Sequence, residues 1–382
     1  MPNNILLNSL GIQDSGGISI LSKSLEEIAE TDKYIFYIFL FKNNNTYNLF
    51  TRYEKHPTFK FIFIKNRGFL YRLIFENFYF YYFEKKNKID LIYNSSGTAQ
   101  FLSATKQLTK IQNLLFYSKK LDKLYLNNKL RKEWLKHIFI KRLVFKSMLH
   151  ISKYIEVQSS HVKDNLKDYL NLKKKVFFIK NDFKVDNKNI NKTKDYNFKK
   201  KVTFYYIIGP HFNMPHKNIK DFVKAMTRLS KVNNNFEIKI TLSKKHLENS
   251  DLWDKRLNSK TKFLGYINKD EIKKQFQNNT ILISNSVIET LGLHVIEAIS
   301  NGILSIVPNE NYATVVYGND IQTYELYNVS SLINKIDDIY KLPNESISKI
   351  ITKNKKYLIK NEKNKHLSCI SMFNKILKES YV

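Results

Sequence analysis

Cysteine is nearly missing from this chain of 382 residues, occurring once, as Cys369. One thiol cannot close an intramolecular disulfide, which fits a reducing compartment, the cytoplasm. Glycine and proline are scarce, at 10 and 6 residues, so the sequence carries little turn punctuation. No run of about 18 uninterrupted apolar residues occurs, so no membrane-spanning helix is expected. The nearest approach, Leu73 to Phe83, is short and is broken by Glu76 and Asn77. The opening MPNNILLNSLG has neither a basic flank nor a long apolar core, and no signal peptide is expected there. Metal-ligand spacings such as HExxH or CxxC are missing, as is a P-loop, so no metal or other cofactor is expected. The pair Asp337 and Asp338 lies in a charged helical tract and reads as a solvated face. Acidic residues are the last shortage: 34 stand against 64 lysines and arginines, for a net charge of +30.

That charge admits three partners: nucleic acid, an anionic membrane surface, or an anionic substrate. Abundant lysine, asparagine, isoleucine, phenylalanine and tyrosine are also what an AT-rich genome produces without selection for binding. No zinc finger, RRM signature or basic heptad pattern is present, so a nucleic-acid partner is not expected. Two stretches interleave basic and aromatic residues, Phe63 to Lys88 and Lys129 to Tyr154. The second is amphipathic, with Trp134, Ile138, Phe139, Val144 and Phe145 among its basic residues. Such helices lie on anionic lipid; equally, they face a core and turn lysines outward.

The hydrophobic content of 43% supports two ordinary domains. Apolar runs of strand length alternate with helical spacing from the start: Asn4 to Leu10, Tyr34 to Phe41, Phe59 to Ile64, Lys88 to Asn94, Thr109 to Tyr117, Tyr154 to Ser160 and Lys175 to Asn181. This is an α/β pattern with parallel sheets and helices on both faces. A polar tract without periodicity then reads as a linker, 184–200, after which the pattern restarts. The expected organisation is a first domain over 1–183 and a second over 201–365. A long helical segment ends the chain, and its last part, about 366–382, is expected to pack back on the first domain. Two doubly wound halves would face a central cleft.

One stretch of the second half stands out: SVIETLGLHVIEAISNG, Ser286 to Gly302. The preceding run TILISNS is strand-like, and GLHVIEAIS has helical spacing. The loop between them therefore opens a helix, and the amides of Thr290, Leu291, Gly292 and Leu293 would be unpaired and open to a phosphate. Gly292 would let a ligand approach the backbone closely. Glu289 and Glu297 would flank the site and accept hydrogen bonds from sugar hydroxyls. Amides for a diphosphate beside two carboxylates describe a nucleotide-sugar pocket. The bland alternative makes Glu289 a helix N-terminal acid and Glu297 a solvated helix residue.

The stretch resembles the hallmark S-x-x-E-x-x-G-x-x-x-x-E-A-x-x-x-G of the family 4 retaining glycosyltransferases, of glycosyl transferases group 1, with every fixed position filled. FLGYI, Phe263 to Ile267, and PHKNIKDFVKAM, Pro215 to Met226, resemble further family segments, and DSGGISILSKSL resembles the family's N-terminal glycine loop. The resemblance implies a GT-B fold of two Rossmann-like domains. It implies a retaining hexosyltransferase that moves a sugar from a nucleotide diphosphate sugar to a hydroxyl of a glycan or lipid-linked saccharide, in bacterial surface polysaccharide synthesis. Such an enzyme would be cytoplasmic or peripheral on the inner face of the membrane. By resemblance, Glu289 and Lys217 are catalytic, and Gly17, Lys217, Tyr266, Glu289, Thr290, Leu291, Gly292, Leu293 and Glu297 bind the donor. Glu297 takes the ribose hydroxyls, and Lys217 with the loop amides holds the diphosphate. Gly16 and Gln112 contact the acceptor.

Two departures stand beside this. Pro210 follows Gly209 where the family often has an arginine, which would shift load to Lys217 and Lys244. Gln112 stands where an acceptor histidine is often found. No carboxylate is clearly placed as a nucleophile. A different GT-B enzyme such as a sugar-nucleotide epimerase, an inactive relative, and a basic nucleic-acid-binding protein remain the competing readings.

Overall fold

The computed structural model describes residues 2–13, 15–172, 174–185, 190–209, 211–364 and 367–379. The chain forms two compact units, Met1–Asp182 with Lys365–Val382, and Phe183–Asn364.

In the first unit the apolar runs become β1 (Asn3–Asn8), β2 (Tyr34–Phe41), β3 (Phe59–Ile64), β4 (Ile89–Asn94), β5 (Lys106–Ile111), β6 (Tyr154–Val157) and β7 (Val176–Ile179). Among the described residues they form one parallel sheet in the order β3-β2-β1-β4-β5-β6-β7. Near-continuous apolar runs suit such strands, because helices cover both faces. Ile5 and Leu7 enter one core with Phe36 and Ile38, and Leu6 enters another with Phe39 and Phe80. The strand expected to run on to Tyr117 stops at Ile111, level with the end of β6, and Leu115–Tyr117 is a 3-10 turn. The two glycines read as a loop, Gly16 and Gly17, instead lie in the first turn of the helix Ser15–Ile28. The helix Cys369–Lys378 belongs to this unit and buries Cys369, Met372, Phe373 and Ile376. Phe373 meets the rings of Tyr34 and Tyr93, and the Tyr34 hydroxyl donates to Asn374 Oδ1 at 2.6 Å.

Both basic-aromatic stretches are helical with a π-turn, at Phe75–Tyr79 and Leu135–Phe139. Each turns one face to the core. Arg72 pairs with Glu76 and Arg142 with Asp122, so these arginines are buried ion-pair partners and not surface charge. The opposite faces leave Leu70, Ile74, Phe78 and Tyr82, and Leu135, Ile140 and Leu143, exposed. No helix among the described residues is long and apolar enough to cross a membrane.

The second unit contains β8 (Val202–Tyr206), β9 (Phe236–Ile240), β10 (Thr261–Phe263), β11 (Thr280–Ile283), β12 (Leu304–Pro308) and β13 (Gln322–Tyr324). They too are parallel, in the order β10-β9-β8-β11-β12-β13. Of the tract read as a linker, 184–200, residues 186–189 lie outside the described residues. The part from 190 on packs into this unit: the Tyr196 hydroxyl donates to Thr280 O and accepts from Leu304 N, at 2.9 and 2.7 Å. This crossing explains the last glycine of the motif. Gly302 has φ +80°, and a Cβ there would stand 2.9 Å from Lys192 O. The long C-terminal helical segment is two helices, Asn344–Asn364 in this unit and Cys369–Lys378 in the first.

Candidate active site

Each sheet reverses its strand order once, between β1 and β4 in the first unit and between β8 and β11 in the second. At such a point the loops after adjacent strands diverge to opposite sides and leave a crevice at the strands' C-terminal ends. In the second unit the loop after β8 carries His216 and Lys217, and the loop after β11 carries Ser286 to Gly292. Val287 N donates to His216 O at 2.8 Å, which ties the two loops together. Lys217 Nζ then stands 3.1 Å from Glu289 Oε1, with the side chains 29% and 16% exposed.

The Glu289 carboxyl sits in competing fields. Burial alone would raise its pKa; the Lys217 ammonium, His294 and a hydrogen bond from Ser286 outweigh this and hold it at about 2. Ser286 thus gives the motif's serine a role three residues before the glutamate. Burial also pushes His216 and His294 down to about 4, with Lys217 adding to the effect and Glu289 opposing it. Near neutrality the crevice therefore holds an ammonium, a carboxylate and two neutral imidazoles. His294 Nε2 and Ser284 Oγ share a 3.0 Å hydrogen bond. His216 Nδ1 and both amide atoms of Asn285 are buried without a hydrogen-bond partner among the described residues. Polar groups of that kind mark a place where a polar ligand gains bonds. The two histidines and Asn285 are not among the site residues expected from the sequence.

The helix opened by the motif is Leu293–Ser300, and Gly292 is its N-cap residue with φ +59°. The close approach that excludes a side chain at Gly292 comes from this chain: a Cβ there would stand 2.1 Å from the Tyr317 hydroxyl. Leu293 begins the helix, while Thr290 and Leu291 precede it. Glu297, one turn on, is engaged by a different cation, Lys269 Nζ at 2.7 Å. Lys269 follows the turn that carries Tyr266, which is 67% exposed beyond Gly265 at φ +69°. Lys244, weighed as a phosphate partner, pairs with Glu248 on its own helix at 3.7 Å. Pro210, which stands at the family's arginine position, lies outside the described residues.

The first unit has its own cavity at the β1/β4 crevice, about 360 Å³ in volume. Gly17 and Gln112 line it, with Gln112 Nε2 donating to Ser95 O at 2.9 Å. Gly16 is not part of its lining. Arg72, Lys141 and the rings of Phe69, Phe116 and Phe145 line it as well.

Solved structures share this architecture. Sucrose-phosphate synthase from Thermosynechococcus elongatus superposes with a TM-score of 0.70 at 14% identity, over 99% of this chain and 100% of that one. Anabaena Alr3699/HepE, solved in complex with UDP-glucose, gives 0.64 at 12% identity over 98% of both chains. WaaG, a glycosyltransferase involved in lipopolysaccharide biosynthesis, gives 0.63 at 11% identity, over 98% of this chain and 100% of that one. At such identities the likeness is one of fold, and the fold is GT-B. No curated protein sequence matches the chain. The stretch that carries Lys217, Glu289 and Glu297, residues 189–364, matches the family model of the glycosyl transferases group 1.

Proposed function

We propose that this protein is a retaining hexosyltransferase. It moves a sugar from a nucleotide diphosphate sugar to a hydroxyl of a glycan or lipid-linked saccharide, in the assembly of bacterial surface polysaccharide. The observation that carries the reading is the meeting of Lys217 and Glu289 at the crevice of the second unit, 3.1 Å apart, beside the start of the helix Leu293–Ser300. The match of residues 189–364 to glycosyl transferases group 1 supports it. So do the UDP-glucose bound by HepE and the lipopolysaccharide role of WaaG.

An ammonium has three donors. Glu289 occupies one and fixes the direction of Lys217; the others reach the donor diphosphate together with the amides of Thr290 to Leu293. Negative charge grows on that diphosphate as the sugar leaves, and donors already in position lower the barrier. Glu289, ionised down to about pH 2, accepts from the transferred sugar's hydroxyls. Glu297 takes the ribose through the oxygen that Lys269 does not hold, and Tyr266 lies by the base. The chain's own cations and amides carry the charge, so activity is expected to survive a chelator. The exposed apolar faces of the two π-bulged helices, with Lys85, Lys86 and Lys136 beside them, suit an anionic membrane surface that presents the acceptor.

The test is thermal stabilisation by UDP-, GDP-, ADP- and CMP-sugars, for wild type and Glu297→Gln. A ligand at about 100 times its Kd stabilises by about 2.7 kcal/mol. One nucleotide class should stabilise wild type and lose most of that effect in the variant. No stabilisation by any of them would sink the reading. With the donor known, the anomeric configuration of the product decides retention, and turnover without acceptor would identify an epimerase.

A further inference from the structure

The cavity of the first unit carries charge that the transferase reading does not use. Arg72 is held from three directions. Its Nε donates to Glu76 Oε1 at 2.6 Å, and its Nη2 donates to Ser96 Oγ at 2.7 Å and Thr98 Oγ1 at 2.8 Å. Glu76 is itself fully buried and accepts from Asn8 Nδ2 at 2.9 Å. The third nitrogen, Nη1, makes no hydrogen bond among the described residues and lies against the backbone of Gly11, where a Cβ would stand 2.2 Å away. A side chain at 11 would displace the guanidinium. The glycine and the buried partners thus hold a rigid fork with one arm at the cavity.

Glu76 balances the charge of Arg72, so a second cation decides the sign of the cavity. Lys141 lines it with its ammonium 5.8 Å from the centre of the Phe69 ring, and it has no ion-pair partner among the described residues. Among the described residues the lining contains no carboxylate. Phe116 and Phe145 stack at 4.8 Å, and Phe69 lies beside Phe145 at 5.9 Å. A fixed guanidinium matches the oxygens of a phosphate or carboxylate, and aromatic carbon suits the C–H face of a sugar ring.

We propose that this cavity takes a saccharide acceptor bearing an anionic group, a phosphate monoester or a carboxylate, which docks on Arg72 and Lys141. The inference rests on the transferase reading for the word acceptor and deepens it by naming the acceptor's charge. A neutral sugar would leave Lys141 uncompensated beside an apolar wall; an anionic one neutralises it and adds charge-assisted hydrogen bonds.

The experiment measures binding of glucose 6-phosphate, glucuronate and glucose to the full chain at one fixed ionic strength, by ligand-observed NMR. Both charged sugars, or one of them, should bind, and glucose at least about tenfold more weakly. Binding of only one assigns the anion as phosphate or carboxylate. Lys141→Gln should weaken the charged sugars by roughly tenfold or more without lowering Tm. Lys349→Gln removes the same charge from the exposed surface of the other unit and should change nothing. Because Arg72→Gln alone would strand the buried Glu76, it is made with Glu76→Gln, and the pair should abolish charged-sugar binding. Equal binding of glucose, or equal weakening by Lys349→Gln, would overturn the proposal. A nucleotide sugar is titrated into the same samples. If it binds and no charged sugar does, the acceptor inference fails and the transferase reading stands. If charged sugars bind and no nucleotide sugar does, the anionic pocket stands and the transferase reading falls.

Discussion

At the scale of single residues, most of the motif's fixed positions have a physical reason in this chain. Ser286 hydrogen-bonds Glu289, Glu289 holds Lys217, and Gly302 lets residues 192–194 cross above it. Gly292 is the sharpest case. It needs a positive φ, which costs an ordinary residue about 1–2 kcal/mol, and it abuts the Tyr317 hydroxyl. That hydroxyl is buried with no hydrogen-bond partner among the described residues. Gly292→Ala is therefore expected to destabilise by about 2–4 kcal/mol, strain and overpacking together. Tyr317→Phe should restore part of this, since the nearest ring atom, Cζ, would be 3.4 Å from the new methyl. Urea unfolding of the two single variants and the double variant measures the coupling. Purely additive effects would show that the hydroxyl is not the obstacle.

At the scale of elements, helical spacing in the sequence marks helices but not which charges they bury. Arg72 and Glu76 are four residues apart in a tract rich in lysine and tyrosine. That spacing is the same for a solvated i,i+4 pair and for one folded inward, so periodicity alone does not separate them. The arginine that forms one wall of the first unit's cavity was legible only as part of a basic-aromatic stretch. The helix Cys369–Lys378 gives an element-scale prediction. Its Cys369 is fully buried, and burial pushes the thiol up to about 12. Iodoacetamide should leave it unmodified at pH 8 and label it fully in denaturant. Phe373→Ala removes a buried ring between Tyr34 and Tyr93, costs about 3–5 kcal/mol, and should speed labelling of the folded protein. Rapid labelling of wild type would mean that the helix does not stay docked.

At the scale of the whole molecule, pH links the crevice to stability. His216 and His294 are held at about 4 when folded, against an ordinary 6.5. Their folded values are depressed, so the unfolded chain binds protons that the native chain refuses. Their contribution is full above 6.5 and is lost as pH falls towards 4. Two such groups reduce stability by up to about 2.7 kcal/mol per pH unit in that window. Glu289, at about 2 against 4.5, extends the loss from pH 4.5 downward in the same direction. Unfolding midpoints at pH 7 and pH 5 should differ clearly, and His216→Gln should remove about half of the difference. Equal midpoints would contradict the buried, neutral state of both histidines. The net charge of +30 adds to acid sensitivity through self-repulsion, and added salt should relieve that part alone.

By itself, the sequence determined the α/β class, the strands β1 to β4, β6, β7 and β11, and the loop that bears Glu289. These follow from local pattern: apolar runs of strand length, helical spacing, and a fixed spacing of serine, glutamates and glycines. What only the tertiary structure decided is who meets whom. Lys217 and Glu289 are 72 positions apart and become neighbours because β8 and β11 lie side by side at the reversal of the sheet. Arg72 reaches Ser96 and Thr98 by the corresponding reversal between β1 and β4. Strand order is a property of the assembled sheet, set by how the helices cover both faces, and no window along the chain contains it.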